Sequence, residues 1–181
     1  GHYFNPHAQR IIEGKRDGAK ICVIDVRLSN TASMADWWLA PWPGTEALLM
    51  LSFAHVLLHE NLFDRAFVEQ WVNWREFLQQ VPRRSASGVS TRSVEVPAAF
   101  EQFIEELKDH YAFASPENAA KECGIKAETI REIARAIGAG GSALSSHVWR
   151  NAASGNLGGW QVARCLQFIV VLMGAVNAVG G

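Results

Sequence analysis

The sequence predicts an α/β fold in which helices flank a doubly wound, mainly parallel sheet, and three observations carry that prediction. An amphipathic helix feeds directly into a short, mostly β-branched run. A Pro-Gly-Thr turn opens an apolar helix just after a second short strand, and the order strand, loop, helix returns near the end of the chain. This alternation is that of a Rossmann-like domain, which takes its ligands at the carboxyl ends of the strands.

From Pro6 to Arg16, Ala8, Ile11 and Ile12 share one helical face, Arg10, Glu13, Lys15 and Arg16 point outward, and Gly18 supplies a stop. Ile21 to Ile24 shows no polar alternation, so it is expected as a strand covered on both faces. Trp37 to Ala40 reads as a second short strand, closed by Pro41 and Pro43, whose rings remove backbone donors. Gly44-Thr45-Glu46 then opens a helix from Ala47 to Glu60 that is apolar nearly all round and therefore mostly buried. Thr45 is expected as its N-cap, and the charge of Glu46 complements the helix dipole.

Asp64 is placed to cap a helix over 65–72, and after a break at Asn73 a further helix runs from Trp74 to Gln80. The small, polar and basic stretch between Pro82 and Pro97 is expected as an exposed excursion. Ala98 to Tyr111 carries Phe100, Phe103, Ile104 and Leu107 at helical spacing, Ser115-Pro116-Glu117 has the residues of a helix start, and Lys126 to Ile137 is a surface helix ending at Gly138. Ala143 to Val148 is expected as another strand, 151–159 as a loop of small residues, and the last helix begins at Gly158 or Trp160 and ends at Met173.

Composition sets the class. With 181 residues, 49% hydrophobic and 19% charged, residues 1–181 suffice for one domain with a sizeable core. Lys and Arg number 17 against 18 Asp and Glu, so no global field favours nucleic acid or anionic membranes. The apolar run Phe168 to Val176 is too short to span a bilayer. Cys22, Cys123 and Cys165 lie far apart among apolar neighbours and are read as buried thiols. The six histidines are read as isolated, forming neither an HxxxH nor an HExxH pair, so no metal site is expected.

The chemistry collects where the first strand ends. The run Lys20 to Ala32 passes from apolar residues to a carboxylate, a guanidinium and a hydroxyl at Asp25, Arg27 and Ser29, and Gly44, Thr45 and Glu46 follow the second strand. Ser146 and His147 stand at the end of the third expected strand, before a loop whose small residues let a ligand approach the backbone. The alternative for these residues is structural: Asp25 and Arg27 pair with neighbours at a sheet edge, and Thr45 and Glu46 do no more than cap a helix. The tryptophans Trp37, Trp38, Trp42, Trp71 and Trp74 are read as core packing or contacts to further domains.

The chain resembles the large catalytic subunit of the molybdopterin oxidoreductases, the dimethyl sulfoxide reductase superfamily. The resemblance rests on Asn5-Pro6-His7 with Arg10-Ile11, Ala19-Lys20 into Val23-Ile24-Asp25-Val26-Arg27 with Thr31-Ala32, Ala35-Asp36, and Pro43-Gly44-Thr45-Glu46-Ala47-Leu48. It continues through Asn61-Leu62-Phe63-Asp64 with Phe67-Val68, Ile130 to Ala134, and Gly155 to Gly181. Val26 stands where the family usually has proline, Ser29 where it often has threonine, and Glu46 where it commonly has aspartate.

What the resemblance implies is an internal stretch of a larger enzyme, binding the guanosine and diphosphate end of a molybdopterin guanine dinucleotide that carries molybdenum or tungsten. It implies no catalytic residue and no metal ligand within the stretch, which would be inactive alone. The implied partners are the remaining domains of the parent subunit and an electron-transfer subunit, in the cytoplasm or the periplasm. Guanine presents a ring N–H beside an exocyclic amine, so Asp25 or Glu46 suits it as an acceptor of both. A diphosphate needs donors, which Arg27, Ser29, Gly44, Thr45 and a helix N-terminus supply. Two other readings stay open: a nicotinamide-type dinucleotide domain, although no GxGxxG follows a strand, and a non-catalytic assembly domain that uses its tryptophan surface.

Overall fold

The computed structural model describes residues 5–80, 96–148 and 158–180. Its elements, in chain order, are α1 (Asn5–Arg16), β1 (Cys22–Ile24), β2 (Trp37–Leu39), α2 (Glu46–His59), α3 (Arg65–Trp71), α4 (Trp74–Gln80), α5 (Val96–His110), α6 (Pro116–Cys123), α7 (Ala127–Gly140) and α8 (Gly159–Leu172). Single turns of 3-10 helix stand at Ala32–Met34 and Ala112–Ala114.

α2 is the spine of the molecule. Leu49, Met50, Phe53, Ala54, Val56, Leu57 and Leu58 are all buried, as an apolar surface on nearly every side requires, and α6, α7 and α8 pack around it. Ile130 and Ile133 enter this core from α7, and Ile169 and Leu172 from α8. A second part of the core joins α4 to α5 through aromatic rings. Trp74 meets Phe100 edge-on at 5.4 Å, Phe77 meets Phe103 at 5.4 Å, and the buried Trp74 indole satisfies its N–H on the Glu69 carbonyl at 2.9 Å.

Helix ends follow local chemistry. The Asp64 carboxylate accepts from the Phe67 N–H at 2.9 Å, and the Ser115 hydroxyl accepts from the Asn118 N–H at 3.3 Å with Pro116 in the first turn. α6 stops at Gly124, whose φ of +75° is the left-handed conformation glycine adopts without strain.

The two strands pair in parallel with Cys22 opposite Trp37, Val23 opposite Trp38 and Ile24 opposite Leu39. An α/β character is therefore present, but the described residues contain only this pair, and the winding of a larger sheet is not among them. With so little sheet, β1 is not covered on both faces: Cys22 is exposed and Val23 and Ile24 are half-buried. Of the three thiols expected to be buried, Cys123 is, Cys165 is half-buried and Cys22 is not. Ile11 and Ile12 on α1 are likewise exposed.

The strand expected over 143–148 is irregular chain. Its serines and histidine have little β-propensity and find no ladder partner among the described residues, and Leu144 is its contribution to the core. The small-residue loop lies outside the described residues except at its end, and so does most of the excursion between Pro82 and Pro97. No helix among the described residues is long and apolar enough to cross a membrane.

Candidate functional site

Because β1 and β2 run parallel and in register, the segments that follow them leave the sheet at the same end. The Asp25 N–H continues the ladder by donating to the Leu39 carbonyl at 3.0 Å, and the Trp38 indole N–H donates to the Asp25 carbonyl at 2.7 Å. The Asp25 carboxylate then turns back on its own chain. Oδ1 accepts from the Arg27 N–H at 2.9 Å and lies 3.6 Å from Arg27 Nε. This makes a short Asx-type turn that aims the guanidinium into solvent, where the Arg27 side chain is 82% exposed. Ser29 extends the turn, its hydroxyl oxygen accepting from the Ala32 N–H at 3.2 Å.

The second segment is a tight turn. The Trp42 carbonyl accepts from both the Thr45 N–H at 3.1 Å and the Thr45 hydroxyl at 2.7 Å, and Gly44 sits at φ +95°. Proline second and a positive-φ glycine third is the sequence of a type II turn. Thr45 was expected to cap α2, but its hydroxyl proton is committed backwards to Trp42 and it makes no side-chain cap. Glu46 occupies the first turn of α2 as expected, and its Oε2 accepts from the Gly44 N–H at 2.8 Å.

The structure thus joins Asp25 with Arg27, and Gly44 and Thr45 with Glu46, at one end of the sheet. Ser146 and His147 belong to a third, irregular segment, where the His147 ring meets His7 of α1 with centroids 6.0 Å apart. They are not at a strand end, because the strand is not there.

The opposite end of the sheet carries a carboxylate that sequence reasoning passed over. Asp36 accepts from Lys15 at 2.8 Å, from the Ile21 N–H at 2.9 Å and from Lys20 at 3.3 Å. The Lys15 ammonium and then the Ile21 amide hold it far below the usual carboxylate range. Its donors come from the chain itself, so Asp36 pins the start of both strands. At the other end each carboxylate is bonded through one oxygen, which leaves acceptor capacity on Asp25 and Glu46.

The histidines are not all isolated. His55 and His59, an HxxxH pair four residues apart on α2, stack with centroids 4.0 Å apart, and His55 Nδ1 lies 3.2 Å from the Tyr111 carbonyl. Partial burial, then the neighbouring His55 and Lys108, lower the pKa of His59. Among the described residues no group of three His, Cys, Asp or Glu side chains is placed to hold a metal. Two shallow apolar hollows lie away from the strand ends. One of about 440 Å³ runs along α8 past Trp160 and Phe168, and one of about 230 Å³ lies between α1 and Met34.

A parallel strand pair whose carboxyl ends carry exposed polar groups, set on a helical body, defines an α/β unit. No protein-family model matches the chain. It is 30% identical over 165 residues to the arsenate respiratory reductase molybdopterin-containing subunit ArrA of Shewanella sp. strain ANA-3, covering 91% of this chain and 18% of that protein. It is 31% identical to dimethyl sulfoxide reductase DmsA of Haemophilus influenzae, covering 92% of this chain and 19% of the relative. Identity is also 31% to the F420-dependent formate dehydrogenase 1 subunit alpha of Methanococcus maripaludis, over 75% of this chain and 16% of that one. Among solved structures, acetylene hydratase from Pelobacter acetylenicus shares the fold, with a TM-score of 0.67 at 24% identity over 97% of this chain and 20% of that one.

The chain belongs to the molybdopterin oxidoreductases of the dimethyl sulfoxide reductase family. It spans about a fifth of the length of the curated relatives it matches.

Proposed function

We propose that this chain is a stretch of a molybdenum or tungsten oxidoreductase that binds the guanosine and diphosphate end of molybdopterin guanine dinucleotide. One observation carries the reading: Asp25 and Arg27 on one side, and Gly44, Thr45 and Glu46 on the other, leave a parallel strand pair at the same end. The donor set fits the group. Asp25 and Glu46 each keep acceptor capacity for the paired N–H donors of guanine, which an adenine does not offer in that arrangement. Arg27 presents an exposed guanidinium to a diphosphate, and the first amides of α2, with no side-chain cap from Thr45, face the same rim.

When bound, the metal pterin supplies the redox chemistry; the residues of this chain hold and orient its nucleotide tail. Ser146 and His147 enter the proposal as outlying contacts. The wider assembly belongs to the same reading, with further strands of a doubly wound sheet, the remaining domains and an electron-transfer subunit contributed by the longer enzyme.

Calorimetric titration of the 181-residue chain with GDP tests this. Saturable heat is expected, reduced about tenfold in apparent affinity by Arg27→Ala, as loss of a charge-assisted contact predicts, and less by Ser146→Ala or His147→Ala. No heat with GDP, or equal binding by R27A, overturns the proposal.

A further inference from the structure

We infer that the indole of Trp42 is a stacking platform for the purine base, an inference that rests on the nucleotide reading above and assigns the base its place within that site. Trp42 is 67% exposed, yet its backbone is tied at both polar groups to its own chain. Its backbone N–H donates to the Cys123 carbonyl at 3.1 Å, its carbonyl takes both donors of Thr45, and Pro41 and Pro43 flank it.

The ring has a contact of its own. The pyrrole side of the indole rests against Gly124 so closely that a Cβ there would stand 2.9 Å from Nε1 and 3.3 Å from Cδ1. With one edge on Gly124, the ring leaves most of its surface open to solvent. Two other exposed indoles have visible occupations: Arg164 lies over the Trp160 ring at 4.6 Å, and Trp38 gives its N–H to the Asp25 carbonyl. Among the described residues no cation or ring covers Trp42.

Its place in the chain points to a base rather than to a sugar or phosphate. Trp42 is the first residue of the turn whose last two, Gly44 and Thr45, lead into Glu46, whose carboxylate has acceptor capacity left. A flat heterocycle stacked on the ring turns its edge, with its N–H donors, toward such an acceptor. The two residues then divide the work. Stacking accepts any base because every base has a π-face, while the carboxylate chooses among edges.

That division sets the experiment, a titration of the full chain with GDP, ADP and pyrophosphate. Trp42→Ala is expected to weaken GDP and ADP alike by about one to two orders of magnitude, the range of base-aromatic stacking. It leaves pyrophosphate unchanged, and Trp42→Phe restores most of the loss. Glu46→Gln is expected to change the ratio of GDP to ADP affinity instead. In NMR spectra the wild-type chain shifts the purine H8 upfield and moves the one indole N–H signal that Trp42→Phe removes. Trp71→Ala, another exposed tryptophan, leaves all three affinities unchanged. Equal GDP binding by wild type and W42A overturns the platform and leaves the nucleotide reading standing. Weakened pyrophosphate binding in W42A also overturns it, since the residue then acts on the turn. Absence of GDP binding by the wild-type chain overturns the nucleotide reading and the platform with it.

Discussion

Gly124 is where a single methyl group separates two physical effects. Its φ of +75° costs an L-residue about 1–2 kcal/mol, and a Cβ there also meets the Trp42 indole at 2.9 Å. The second effect is the smaller, because the ring is the exposed end of a side chain and turns aside with little loss of contact. A less flexible unfolded chain returns about 0.4–1 kcal/mol. Gly124→Ala should therefore lose about 1 kcal/mol, or about 2–4 °C in Tm for a chain of this size. Gly124→Asn places a Cβ at the same spot but tolerates the left-handed region better, so it should lose clearly less. Urea unfolding followed by far-ultraviolet circular dichroism measures all three proteins, together with W42A and the double variant G124A/W42A. If Asn is as destabilising as Ala, or if removing the indole abolishes the cost of the Ala substitution, the collision dominates and the reasoning is wrong.

Two further outcomes follow from groups away from the site. Glu60 receives both Nε and Nη2 of Arg135 at 2.8 Å, and this pairing lowers its pKa, so its stabilisation is present at neutral pH and lost as pH falls through the carboxylate range. The gap in urea midpoint between wild type and Glu60→Gln should close between about pH 7 and about pH 3; a gap that stays constant refutes the assignment. Ser52 is fully buried in α2 and its hydroxyl finds no partner among the described residues, so Ser52→Ala should raise stability by up to about 1 kcal/mol. A drop of that size in a thermal melt would mean that the hydroxyl is bonded after all.

The helices were legible because their signals are local. The apolar stripe of α7, the Asp64 and Ser115-Pro116 starts and the break at Asn73 each depend on residues within a turn or two of one another. The sheet was less so. A continuous apolar run such as Ile21–Ile24 has the same pattern in the middle of a large sheet as in an open pair, and only the neighbouring strands decide. Asp25, Arg27 and Glu46 could be singled out as candidates because polar residues after apolar runs stand out. The direction of the Thr45 hydroxyl could not, since the turn geometry at Gly44 sets it. Asp36 and the rest of Trp42 on Gly124 escaped notice because their partners come from distant chain. His55 and His59 were readable by spacing, but their stacking depends on both lying on one helical face.

The bond from the Trp42 N–H to the Cys123 carbonyl ties the entrance of α2 to the exit of α6. On the proposed reading, recognition and folding share one fastening: the backbone of the rim is tied before any guest arrives, and less ordering remains to oppose its capture. The same knot gives a lesion in the helical body a route to the rim, so substitutions that loosen α6 would blunt ligand grip without touching a single contacting side chain.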